Sequence, residues 1–123
     1  LPIGEVTVMG WGRRRVHYGT KALSGGSGQV DLEPPAYRKV KILHLSGRFA
    51  NDLLGKIQLW YTMNINGTAT AMLLKDDSGS AVSWDGELTL PQVQSLKVLA
   101  YGDTTNRSPT INAQIVYQMW RDR

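Results

Sequence analysis

The stretch from Lys56 to Leu74, KIQLWYTMNINGTATAMLL, restricts the possible folds more than any other part of the chain. Ile57, Leu59, Tyr61, Met63 and Ile65 occupy alternate positions, with Gln58, Trp60, Thr62 and Asn64 between them. A period of two sends successive side chains to opposite faces of a strand. The first set is expected to face a core and the second mostly water. Asn66-Gly67 then offers the two positive-φ positions of a tight turn. The chain returns through Thr68 to Leu74, so the stretch predicts a central β-hairpin.

The remaining segments carry the same signal. Pro2 makes Leu1 to Gly4 an extended lead-in. Glu5 to Gly10 alternates, Trp11 to Arg15 interrupts it, and Val16 to Thr20 resumes an extended piece. Leu23 to Gly28 is expected as a flexible loop. Gln29 to Leu32 is a short strand, ended by Glu33-Pro34-Pro35 because proline cannot donate to a ladder. Tyr37 to Phe49 is long and extended. Val40, Ile42 and His44 share one face of it, and the apolar side then switches, which predicts a bulge or twist near His44 to Gly47. Ala50 to Gly55 is a connection with one helical turn. Lys75 to Ser80 is expected as a loop, Ala81 to Trp84 as a short strand, and Asp85-Gly86 as a second hairpin turn. Glu87 to Leu90 and Leu96 to Tyr101 are strands, and Gly102 to Pro109 a polar loop. Ile111 to Trp120 alternates well, with Ile111, Ala113, Ile115, Tyr117 and Met119 on one face and Trp120 on the other. Arg121 to Arg123 is a charged tail.

About eight strands without βαβ alternation predict an all-β, antiparallel β-sandwich, jelly-roll-like, with an immunoglobulin-like sandwich as the alternative. A length of 123 residues fits one domain that can bury a real core. Residues 1–28 are expected as an extended N-terminal arm or strand segment, and 29–123 as the sandwich. The start at Leu1, without Met or a signal-like apolar run, reads as a trimmed or processed form. No cysteine is present, so disulfides and thiolate metal sites are excluded. No apolar run is long enough to span a membrane. The net charge of +4 implies a general attraction to acidic surfaces without choosing among them.

Catalytic patterns are absent. His17 and His44 are far apart, and no G-x-S-x-G, H-E-x-x-H or Walker A pattern occurs. His44 alternates with core positions and is expected as a buried or edge polar group. Asp76, Asp77, Asp85 and Asp103 could pair in space for glycoside hydrolysis, but all four lie in turn-like stretches, where Asp serves turn geometry. Asp76 to Ser80 lacks EF-hand spacing, so a solvated turn is the reading rather than a Ca²⁺ loop. No cofactor or metal is expected, and no enzyme. Asn66-Gly67-Thr68 and Asn106-Arg107-Ser108 match the glycosylation pattern; at the first, Asn-Gly is what the turn requires, and Pro109 weakens the second.

Trp11, Arg13, Arg14, Arg15, His17 and Tyr18 form the dense basic-aromatic cluster of the chain. Such a cluster suits docking on an acidic protein surface, binding single-stranded nucleic acid, or protecting an edge strand by charge. Docking is the role expected of Trp11, Arg13, Arg14, Arg15 and Tyr18. Trp60 and Trp120 fall opposite the apolar faces of their strands, which points to an oligomer interface or to stacking on sugar rings.

The segment from Trp84 to Trp120, WDGELTLPQVQSLKVLAYGDTTNRSPTINAQIVYQMW, resembles the C-terminal part of small jelly-roll virion proteins of tailed bacteriophages, of the capsid decoration (cement) type. The likeness lies in the order of parts: Asp85-Gly86, a strand, a polar Gly/Thr loop, and a last alternating strand with an aromatic end. The resemblance implies a non-enzymatic structural protein on the capsid exterior, a homotrimer bound to the major capsid protein. The alternative is a carbohydrate-binding module or the receptor-binding head of a phage tail. Neither a membrane nor nucleic acid is expected as a partner.

Overall fold

The computed structural model of the chain describes residues 9–35, 38–50, 53–104 and 109–122. Nine strands run through them: β1 (Met9–Trp11), β2 (Arg15–Ala22), β3 (Ser27–Leu32), β4 (Val40–Phe49), β5 (Gly55–Ile65), β6 (Thr68–Gly79), β7 (Ala81–Leu90), β8 (Ser95–Asp103) and β9 (Thr110–Asp122). All named pairings are antiparallel. One sheet has the order β1-β9-β4-β7, with β2 also on β9; the other is β3-β8-β5-β6. From β2 onward every connection passes between the sheets except the β5–β6 hairpin. This wrapping makes the expected sandwich a jelly roll.

The core lies between the inner faces. Ile57, Leu59 and Tyr61 of β5 are buried, as their spacing predicts, against Val40, Ile42, Leu45 and Phe49 of β4 and Ile111, Ala113, Ile115 and Tyr117 of β9. Full burial of such side chains contributes about 1.5–3 kcal/mol each. Asn66 (φ 51°) and Gly67 (φ 88°) form the predicted turn between β5 and β6.

Several sequence-based expectations are corrected. Lys75 to Ser80 is not a loop: β6 continues to Gly79, pairing Lys75 with Leu59 and Asp77 with Ile57. Its polar residues are tolerated because β6 is an edge strand whose side chains are mostly exposed. A one-residue bulge at Leu74, between the pairs Leu59–Lys75 and Trp60–Leu73, absorbs the irregularity. Asp85-Gly86 is not a hairpin turn either. It lies inside β7, where Gly86 and Glu87 bulge opposite Leu43. Leu43 is itself an extra residue relative to β9, since Ile42 pairs with Tyr117 and His44 with Val116. The expected bulge is therefore slightly earlier than predicted. It turns His44 outward, away from the face of Val40 and Ile42, and brings Leu45, Gly47 and Phe49 in.

Leu23 to Gly28 is a tight reversal rather than a flexible loop. Leu23 is buried, Gly25 and Gly26 take positive φ, and Ser24 bridges Ser27. Within the 1–28 segment lie β1, β2 and the first two residues of β3, with β2 paired to β9 along its length. Gly102 and Asp103 still belong to β8, and Arg121 and Asp122 to β9. The expectations for 1–8, for residues 51–52 of the Ala50 to Gly55 connection and for Asn106 to Ser108 fall outside the described residues.

Candidate interaction surfaces

β1 and β2 lie along the same edge of β9, and the break between them is pinned by backbone. Gly12 N–H donates to the Met119 carbonyl (2.9 Å), and Gln118 Nε2 donates to the Gly12 carbonyl (2.8 Å). Trp11 pairs with Trp120, and their rings meet edge to face with centroids 5.2 Å apart. Lys39 Nζ stands 4.7 Å from the Trp120 ring centroid and Lys41 Nζ 4.5 Å from that of Trp11. Such cation–π contacts contribute about 0.5–1 kcal/mol where exposed. Arg38 Nη1 donates to the Trp120 carbonyl (3.3 Å). Side chains alternate across the strand, so Met119 and Arg121 point to the other side. There a hollow of about 240 Å³ is lined, among the described residues, by Gly12, Arg13, Arg15, Arg38, Met119 and Arg121, which bring four guanidinium groups together.

The expected docking residues do not all converge. Arg13 and Arg15 line this hollow, with Trp11 behind it. Arg14 turns to a different one, alongside His44, Asp85 and Glu87. Tyr18 is 74% exposed and pairs with Gln114, well along β9 from Trp120. His17 points inward instead, stacks on Tyr117 and shares a hydrogen bond of 3.0 Å with its hydroxyl. Burial pushes the Tyr117 phenol above its ordinary pKa, and the Arg15 charge partly offsets this.

Trp60 and Trp120 occupy different sheets, β5 and β9. Trp60 lies on the outer face of its sheet, in a row with Asp31, Leu99 and Leu73. The adjoining rows are Gln29–Tyr101–Gln58–Asp76 and Lys97–Thr62–Ala71. Within these rows Gln29, Gln58, Trp60, Thr62, Ala71, Leu99 and Tyr101 line an open pocket of about 260 Å³.

The four carboxylates proposed for glycoside chemistry are dispersed. Asp76 sits 3.6 Å from Lys56 Nζ and accepts from Gln58 Nε2, Asp77 accepts from Ser78 N–H, Asp85 pairs with His44 at 2.7 Å, and Asp103 ends β8. Among the described residues no group of three or more His, Asp or Glu could hold a metal ion. Sequence reasoning missed Arg38, Lys39, Lys41 and Arg121 as partners of the N-terminal cluster, and Gln29 and Tyr101 as partners of Trp60. Local spacing holds no trace of either grouping, because sheet pairing assembles both.

No family model matches the sequence, and no curated protein matches it. Solved structures do. A structure reported as the triple jelly roll fold and turret assembly of an archaeal virus is 18% identical at a TM-score of 0.56, over 94% of this chain and 31% of that one. The infectious bursal disease virus VP2 subviral particle is 12% identical at 0.47, over 89% and 33%. The virus-like particle of the extra small virus of the prawn Macrobrachium rosenbergii is 17% identical at 0.39, over 96% and 85%. This chain thus spans about a third of the length of the first two. The first likeness is one of fold; the other two carry no further weight.

Proposed function

We propose that the protein is a non-enzymatic structural component of a virion, a decoration protein that binds the outside of the capsid shell and stabilises it. The observation that carries this reading is the basic end of the sandwich, where Arg13, Arg15, Arg38 and Arg121 line one hollow behind the paired Trp11 and Trp120. Arginine and tryptophan are the residue types that anchor protein interfaces. A fork of guanidinium groups matches acidic side chains bidentately, as lysine does not. The fold likeness to a protein of an archaeal virus turret assembly supports a place in a particle. The partner is an acidic face of the major capsid protein. Assembly as a homotrimer would make modest individual contacts collectively strong.

The test is attachment to shells built from the major capsid protein alone, measured across a salt series. Replacing Arg13, Arg15, Arg38 and Arg121 with Ala should weaken attachment and flatten its salt dependence. Arg14→Ala should change it much less, because Arg14 already faces Asp85 and Glu87. Equal binding by wild type and the quadruple variant at every salt concentration would refute the docking role.

A further inference from the structure

The basic end leaves the opposite sheet unused. On its outer face Trp60, Leu99 and Tyr101 form the apolar floor of the open pocket, and Gln29, Gln58 and Thr62 stand around it. The orientation of Trp60 is fixed: its indole N–H donates to Gln58 Oε1 (3.2 Å), and Gln58 Nε2 donates to Asp76 (3.2 Å). Gln29 Nε2 is engaged by Asp31, which leaves its carbonyl oxygen as the acceptor it offers a ligand. Among the described residues no charged side chain lines the pocket. The carboxylates around it are paired, Asp76 with Lys56 at 3.6 Å and Asp31 and Glu33 both with Lys97 at 3.7 Å.

We propose that this face binds a neutral hexopyranose residue of a glycan. A pyranose ring has one face of C–H groups and an equator of hydroxyls. The C–H face would stack on Trp60 and Tyr101, releasing water from both surfaces. The hydroxyls would pair with the Gln29 carbonyl oxygen, with the second lone pair and second N–H of the Gln58 amide, and with the Thr62 hydroxyl, which both donates and accepts. The volume of about 260 Å³ suits one sugar ring; drug-sized ligands occupy about 300–1,000 Å³. A nucleobase could also stack, but its phosphodiester would meet Asp31 and Asp76 rather than free cations. The site is separate from the capsid-docking end and goes beyond that reading. It also assigns Trp60 to a ligand rather than to a sister copy.

The experiment is a titration of the full isotope-labelled chain with cellotetraose, mannotetraose and β-1,4-galactotetraose, up to about ten millimolar, where weak single-ring contacts are populated. One of the three should shift the Trp60 indole N–H and the amides of Thr62, Leu99 and Tyr101, with saturation transfer to one face of the sugar. Trp60→Ala should weaken binding about three- to tenfold or more, Trp60→Tyr should largely retain it, and Trp120→Ala should bind as wild type. If Trp60→Ala does not fold, Gln29→Ala and Thr62→Val take its place, each expected to weaken binding. Absence of any shift at these resonances overturns the proposal, as does a shift that Trp60 and Gln29 variants leave unchanged. Shifts on simple dilution, without a sugar effect, would show a sister copy on this face and overturn it as well. The arginine variants should keep glycan binding, so the two sites fail independently.

Discussion

Gly55 opens β5 against the end of β8, and no other residue fits there. A Cβ at this position would lie 2.5 Å from the Asp103 carbonyl oxygen and 2.9 Å from the Phe49 ring. The oxygen belongs to backbone and cannot rotate away. Gly55→Ala should therefore destabilise by about 1–3 kcal/mol, the usual cost of overpacking. A fall in urea midpoint at unchanged slope would check it. Tyr117 makes a different prediction. Its folded pKa lies above the unfolded value, so the folded state holds the phenolic proton more tightly. That contribution is fully present below the unfolded value of about 10 and is lost as pH rises through the folded one. Stability measured by urea unfolding should drop above about pH 10, and Tyr117→Phe should lessen the drop. An equal drop in both proteins would assign it to other groups.

Among the elements, β4 shows how one extra residue sets the phase of a strand. Leu43 bulges against β9, so Val40 and Ile42 before it and Leu45, Gly47 and Phe49 after it all face inward. Because the period is two, a one-residue slip turns every later side chain over. Deleting Leu43 removes the bulge against β9, though not the one in β7, and keeps the inward set in phase. Deleting Ser46 turns Phe49 out and Arg48 in. The first variant should fold with reduced stability, and the second should fail to fold. Thermal unfolding followed by circular dichroism separates them; equal outcomes would contradict this account of the bulge. The polar pair that the bulge creates, His44 with Asp85, is solvent-accessible on the Asp85 side. Asp85→Ala should therefore cost no more than about 1 kcal/mol.

For the whole molecule, assembly falls on its sheet edges. β6 ends one sheet, and its Met72 and Leu73 are 47% and 43% exposed. An exposed apolar edge strand is a template for pairing with another chain. Contact in the plane of the sheet would leave the Trp60 face open. Sedimentation should show a concentration-dependent oligomer, with a trimer as the expected state. Leu73→Lys should shift it toward monomer, while Trp60→Ala should not. A wild-type chain that stays monomeric at high concentration, both free and in the presence of shells, would count against a trimer.

Alternation determined the all-β class and the inward set of β5 and β9, and the Asn-Gly pair determined the turn at 66–67, because strand periodicity and positive-φ preference are local properties of the chain. Turn-like composition misled at Lys75 to Ser80 and Asp85-Gly86. Those residues are strand because neighbours in the sheet pair with them, which no local signal reports. The same holds for both candidate surfaces. Sequence marked Trp11, Arg13, Arg15, Trp60 and Trp120 one by one. Only the pairing of β1 with β9 placed Trp11 on Trp120 and Arg13 near Arg121, and only β8 beside β5 and β3 placed Tyr101 between Gln29 and Gln58. Contacts between residues far apart in the chain depend on register, and register is settled by burying the whole core at once.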